Sequence, residues 1–173
     1  MLLFVAAVLS QPLLAADGAG LYAQNCAACH GDQGRGGIGV PLALASANGL
    51  VSDDYLRKTI RNGRPGRVMP AFSSLSAIEV DAIVRHVQSW GDEQAPRYSA
   101  APIGGDVAHG RQLFGAHCAA CHGANGEGGK GTGVTLSRPR DLPIMPPALH
   151  NPGFLASASD RMIKAILMKG IEG

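Results

Sequence analysis

Two hexapeptides constrain this chain more than any other feature. Cys26-Ala27-Ala28-Cys29-His30-Gly31 recurs as Cys118-Ala119-Ala120-Cys121-His122-Gly123, each residue moved by 92 positions (118 − 26). The likeness spreads outward on both sides. Gly18, Leu21 and Tyr22 match Gly110, Leu113 and Phe114, while Gly34, Gly36 and Gly37 match Gly126, Gly128 and Gly129. Further on, Ser52-Asp53 with Tyr55, Leu56, Ile60 and Gly63 matches Ser159-Asp160 with Met162, Ile163, Leu167 and Gly170, now displaced by 107 (159 − 52). The second copy therefore carries 15 extra residues (107 − 92), expected as a Gly- and Pro-rich surface loop around Lys130 to Pro146. A repeat of this period predicts two copies of one small domain rather than a single continuous core.

The divisions follow. Residues 1–16 hold an apolar run, Leu2 to Leu9, then Gln11, Pro12 and the small pair Ala15 and Ala16, the pattern of a secretory signal peptide. The run is shorter than the about 20 apolar residues that a membrane span needs. No Lys or Arg precedes Arg35, so the basic start typical of such leaders is missing and the true start is expected upstream. Domain one is assigned to 17–91 and domain two to 106–173, joined by a linker over 92–105 with Pro96, Pro102 and two terminal glycines.

Within domain one the spacing predicts helices over Gly18 to Gln24, Ser52 to Arg61 and Ser76 to Trp90. The last has the strongest signals: Ser76 and Glu79 stand at capping-box spacing, and Ile78, Ala82, Ile83, Val87 and Trp90 recur along one face. No segment sustains a period of two, so the expected class is all-α with glycine loops.

Cys-x-x-Cys-His is the signature for covalent attachment of haem c. Two thiols add to the two vinyl groups on one porphyrin edge, and the next residue turns its imidazole onto the iron. Two disulfides would leave the repeated histidine unexplained, and a thioredoxin-like pair belongs near a βαβ pattern, which is missing. Structural zinc would need four closed ligands at each site. The reading is thus two covalent haem c groups, held by Cys26 and Cys29 and by Cys118 and Cys121, with His30 and His122 as iron ligands. Composition agrees: with 24 glycines and only eight Phe, Tyr and Trp in 173 residues, an apolar cofactor is expected to fill what the side chains do not. The glycines after each motif are expected to let backbone run close to the porphyrin. A net charge of +2 is far from the basic stripe that nucleic acid requires, so no nucleic-acid partner is expected.

Met69, in Gly66-Arg67-Val68-Met69-Pro70, is the candidate sixth ligand of the first iron, because flanking Gly and Pro favour a rigid loop over a packed helix. Arg35, Arg57, Arg61, Arg64 and Arg67 are available to haem propionates, though most are expected to be ordinary surface charges.

With these residues in view, both halves resemble class I c-type cytochromes, and the whole resembles a tandem dihaem member of that family. The resemblance implies that the first and last helices of domain one cross, setting Gly18 and Tyr22 against Val87 and Trp90. It also implies a proline carbonyl that orients each ligand histidine, with Pro41 and Pro147 as candidates. Carrying Met69 forward by 107 gives position 176, three past the last residue, so domain two is expected to be truncated, without its Met loop and closing helix. Met145 ranks a distant second to that lost methionine, Met162 and Met168 read as core, and His86, His109, His117 and His150 as packing or surface residues.

Irons with two strong protein ligands each leave no open position, so the expected function is electron transfer, not catalysis. The expected setting is the periplasm, as a soluble carrier or as the cytochrome subunit of a respiratory or dehydrogenase complex, held at the membrane if at all through a partner or an uncleaved N-terminus. Its partners would be a redox donor and acceptor meeting the exposed haem edges. Charges of +1 for 17–91 (seven basic, six acidic) and +2 for 106–173 (seven basic, five acidic) imply modest steering. The alternative is a haem enzyme, such as a dihaem peroxidase, with one open iron.

Overall fold

The computed structural model describes residues 16–91, 94–128 and 146–171. The signal-peptide assignment falls almost wholly outside them, as do Met145 and most of the inserted loop. Every regular element among the described residues is a helix. Domain one contains α1 (Gly18–Asn25), α2 (Ala27–His30), α3 (Ala45–Asn48), α4 (Asp53–Asn62) and α5 (Ala77–Gln88). Domain two contains α6 (Val107–His117), α7 (Ala119–His122), α8 (Pro152–Ser157) and α9 (Asp160–Lys169). None of the described helices is long and apolar enough to cross a membrane.

Caps set most boundaries. The Asp17 carboxylate accepts from the Gly20 amide at 3.1 Å and the Ser52 hydroxyl from the Tyr55 amide at 3.2 Å, so α1 and α4 begin one residue later. Both arms of the Ser76/Glu79 box form, at 2.7 and 3.3 Å. α4 and α9 each span ten residues and stop at glycines with φ of +58° and +73°, Gly63 and Gly170, a conformation in which a Cβ is strained.

The core of domain one is α1 crossed on α5. Tyr22, Val80, Ile83, Val84 and Val87 are buried there with Ala27 and Ile60, and Leu21, Leu56, Phe72 and Trp90 pack around them. The predicted crossing forms because residue 18 is glycine: a Cβ at that position would lie 2.2 Å from the Ala82 carbonyl oxygen. Tyr22 meets Trp90 edge-on at 5.0 Å and His86 at 5.4 Å, so His86 is a packing residue as expected. The buried stripe of α5 differs from the predicted one. Ile78 is 56% exposed, and the face runs through Val80, Ala82, Ile83, Val84 and Val87, so the predicted Ala82, Ile83 and Val87 are buried while Ile78 points outward. The helix also ends at Gln88, two residues before Trp90.

Domain two repeats the pattern with less cover. Among the described residues its one buried large apolar side chain is Met162; Met168, read from sequence as core, is 78% exposed because it follows Leu167 on the outer side of α9. α6, the counterpart of α1, buries none of its residues. Two hydrogen bonds bind the segment between the domains to each of them: the Tyr98 hydroxyl donates to the Leu50 carbonyl at 3.0 Å, and the Ile103 amide to Asp160 Oδ2 at 2.9 Å. The domains also touch directly where α8 packs against α4.

Candidate haem sites

In both domains a long helix is interrupted by one residue and resumes as a single turn. The Cys26 amide still donates to Tyr22 at 2.8 Å and the Cys118 amide to Phe114 at 2.9 Å, yet their backbones sit at φ of −122° and −117°. Cys29 and His30 then both donate to the Cys26 carbonyl, at 3.2 and 2.9 Å; Cys121 and His122 donate to Cys118 at 3.1 and 2.9 Å. Residues three and four apart on one turn share a side, so each turn presents two thiols and an imidazole together. The turns end at Gly31 and Gly123, with φ of +81° and +84°. The two sites are thus built alike, residue for residue.

Each histidine is oriented by its ring. His30 Nδ1 lies 2.8 Å from the Val40 carbonyl oxygen, and His122 Nδ1 2.9 Å from that of Pro147. A carbonyl can only accept, which puts the proton on Nδ1 and leaves the Nε2 lone pair for a metal. Pro147 is the residue expected for this role. In domain one the carbonyl belongs to Val40 rather than Pro41, and the repeat explains why: 40 + 107 is 147, so the inserted residues lie before this position. Gly39 was not anticipated. Its backbone lies flat against the imidazole, where a Cβ would fall 2.8 Å from Nδ1.

The remaining glycines do more than admit a cofactor. Gly34, at φ +65°, is occupied on its open side by the Trp90 ring, 2.3 Å from where a Cβ would stand, so this glycine serves the protein core. Gly36 and Gly128 each donate to the carbonyl of the motif histidine at 2.7 Å, and Gly128 has φ of +84°.

Met69 is half-buried on a loop that closes on itself. The Arg64 amide donates to the Met69 carbonyl at 2.9 Å, the Phe72 amide to Ile60 at 3.0 Å, and a Cβ on Gly63 would lie 2.5 Å from the Pro70 carbonyl carbon. Arg57, Arg61, Arg64 and Arg67, all considered for propionates, bond to protein groups. Arg57 pairs with Asp81 at 2.6 Å and Arg61 donates to the Leu75 carbonyl. Arg64 donates to Tyr55 and Thr59, both at 3.0 Å, and Arg67 to the Glu127 carbonyl.

The donor chemistry fits a covalently held tetrapyrrole. Cys26, Cys29, Cys118 and Cys121 are unpaired, and His30 and His122 each keep one ring nitrogen available. Burial, and secondarily the neighbouring Cys29, pushes the Cys26 thiol up to about 11. A low-pKa thiolate of the kind that serves redox exchange is therefore not formed there. Among the described residues no three His, Cys, Asp or Glu side chains converge as a protein-only metal site would require.

Comparison with known proteins agrees with this geometry. Residues 14–87 match the family model for cytochrome c oxidase, cbb3-type, subunit III, and residues 107–170 that for cytochrome c. The cbb3-type cytochrome c oxidase subunit CcoP of Azospirillum sp. (strain B510) is 32% identical over 135 residues, 69% of this chain and 43% of that protein. CcoP of Rubrivivax gelatinosus is 34% identical over 131 residues, 73% of this chain and 40% of that protein. FixP of Azorhizobium caulinodans is 31% identical over 138 residues, covering 70% and 42%. The chain thus spans less than half the length of the curated relatives it matches. Two matching cytochrome models laid end to end, over two turns of identical construction, place this chain in the c-type cytochrome family, as a tandem protein of two cytochrome c domains that binds two covalent haem c groups.

Proposed function

We propose that the chain passes electrons between redox proteins in the periplasm as the cytochrome subunit of a respiratory oxidase complex. Cys26 and Cys29 anchor the first haem and Cys118 and Cys121 the second, with His30, Met69 and His122 as iron ligands. The observation that carries this reading is the duplicated orientation of His30 and His122 by the Val40 and Pro147 carbonyls. Haem c, when bound, supplies a one-electron Fe(III)/Fe(II) couple. The protein's share is placement. Thioether anchors on one helical turn fix a porphyrin edge, and a carbonyl on Nδ1 stops the imidazole rotating and makes Nε2 more basic. A thioether from Met69, softer than imidazole, favours the ferrous state and raises the potential. Resemblance to CcoP and FixP supports the oxidase setting over a dehydrogenase one.

The test is the haem content of the purified chain. Pyridine haemochrome absorbance should give two haems per polypeptide, both retained through a denaturing gel and acidified acetone. A ratio of one, or pigment lost to the solvent, would sink the assignment of the four cysteines. Peroxide turnover by the same protein would favour an open iron instead.

A further inference from the structure

The loop that carries Met69 is also the seam between the domains. Its six residues, Arg64 to Met69, are closed at the ends by the Arg64 amide on the Met69 carbonyl, and domain two grips them at two points. At one, the Asn151 side-chain amide donates to the Pro65 carbonyl at 2.7 Å, while its Oδ1 caps α8 by accepting from Gly153 and Phe154 at 3.0 and 3.3 Å. Asn151 is buried, and its bond to Gly153 is fully sheltered from water while those to Pro65 and Phe154 are partly so. Around it the fit is close. A Cβ on Gly153 would stand 2.3 Å from the Gly63 carbonyl oxygen and 2.8 Å from the Pro65 ring. The Arg64 guanidinium lies 5.7 Å from the Tyr55 ring centre and 5.9 Å from that of Phe154, bridging one aromatic from each domain. At the second point, the Arg67 guanidinium donates to the Glu127 carbonyl. It sits beside Gly128, whose own amide holds the His122 carbonyl.

From this juxtaposition we propose that Asn151 and Arg67 are interdomain positioning residues: docking of domain two holds the Met69 loop in its ligating shape, and so sets the potential of the first haem. The inference rests on Met69 being that haem's ligand. Without domain two the loop would keep its closing hydrogen bond but lose both outer fastenings, including a charge-assisted one from Arg67. A methionine ligand depends on such support, since the loop must hold the thioether at the iron.

Asn151→Asp is the discriminating variant. Aspartate caps a helix as well as asparagine does, so α8 is retained, but it cannot donate to Pro65 and instead sets an acceptor against an acceptor. Gly153→Leu wedges the same seam by bulk, and Arg67→Gln removes the second fastening. Each would be made in the full haem-loaded chain, together with Met69→Ala. The readouts are the near-infrared sulfur-to-iron charge-transfer band of the ferric protein, the two reduction potentials, and the radius of gyration from small-angle scattering. The expected result has three parts: Met69→Ala abolishes the band; Asn151→Asp and Gly153→Leu weaken it, lower the first potential and expand the particle; Arg67→Gln does so to a smaller extent. If Met69→Ala abolishes the band while Asn151→Asp and Gly153→Leu leave band and potential unchanged, the clamp is refuted and the ligand stands. If Met69→Ala leaves the band intact, the ligand assignment fails and takes the clamp with it.

Discussion

At the scale of single residues, Tyr22 shows how much one side chain under the motif has to satisfy. Its ring is buried at the crossing of α1 and α5, and its hydroxyl donates to the Gly31 carbonyl at 2.7 Å, directly after His30 of the motif. Burial pushes its pKa up to about 12, with smaller contributions from Cys26 and Asp32. Thioether formation removes the Cys26 thiol but leaves the burial, so the direction persists in the haem-loaded protein. The folded state then holds a proton that the unfolded chain releases near pH 10, and the associated stability is complete below pH 10 and lost as pH rises toward 12. At about 1.4 kcal/mol per pKa unit the loss amounts to roughly 2–3 kcal/mol. Tyr22→Phe has no such titration and forgoes a hydrogen bond worth about 1 kcal/mol net. Denaturant unfolding across the alkaline range should therefore show the wild type losing its advantage over Tyr22→Phe between pH 10 and 12. Two parallel profiles would mean that the phenol is not sheltered as its surroundings indicate.

At the scale of elements, what was legible in the sequence was whatever a local signal encodes. The expected bounds of α1, α4 and α5 fall within two residues of the observed ends, and the Asp17, Ser52 and Ser76 side chains that cap these helices act on amides three positions away. The repeated motif announced both histidine turns for the same reason. The misses were set by tertiary partners. Which face of α5 is inward depends on where α1 lies, so Ile78 was misplaced; whether Met168 is covered depends on what lies beyond α9. α8 gave no expectation at all, since six residues with a proline and a glycine carry little periodicity, and its role at the seam is visible only once α4 is beside it. Gly18 marks the point where local and tertiary signals meet, as it is poor for a helix yet required by the Ala82 carbonyl. Gly18→Val should thus raise helix propensity in isolation and still destabilise the protein, by about 1–3 kcal/mol for an overpacked contact. Urea unfolding of the two proteins measures this; equal midpoints would show that α1 can slide along α5 without loss.

Over the whole molecule, the two domains share a plan, but among the described residues α1 is more buried than α6, and that asymmetry is measurable. α1 and α6 are copies in sequence, and both begin at a capping aspartate, Asp17 and Asp106, the latter accepting from Ala108 and His109 at 2.9 and 3.0 Å. Intrinsic helix stability therefore favours α6, if either, because it has eleven residues against eight. Tertiary packing runs the other way. α1 is pinned under α5 by Gly18 and Tyr22, whereas α6 leaves Val107 79% and Leu113 47% exposed. Hydrogen exchange on the haem-loaded chain separates these contributions, since local opening tracks the number of buried apolar contacts when caps are equal. The amides of α5 should exchange slowest and those of α1 close to them, while the first two turns of α6 exchange far faster despite their length. Both helices run into the same kind of Cys-x-x-Cys-His turn, so a covalent haem anchors the C-terminal end of each alike. Any difference upstream of the cysteines then reports helix packing rather than haem attachment. Equal protection in α1 and α6 would show that the haem, rather than helix packing, supplies the stability of both domains.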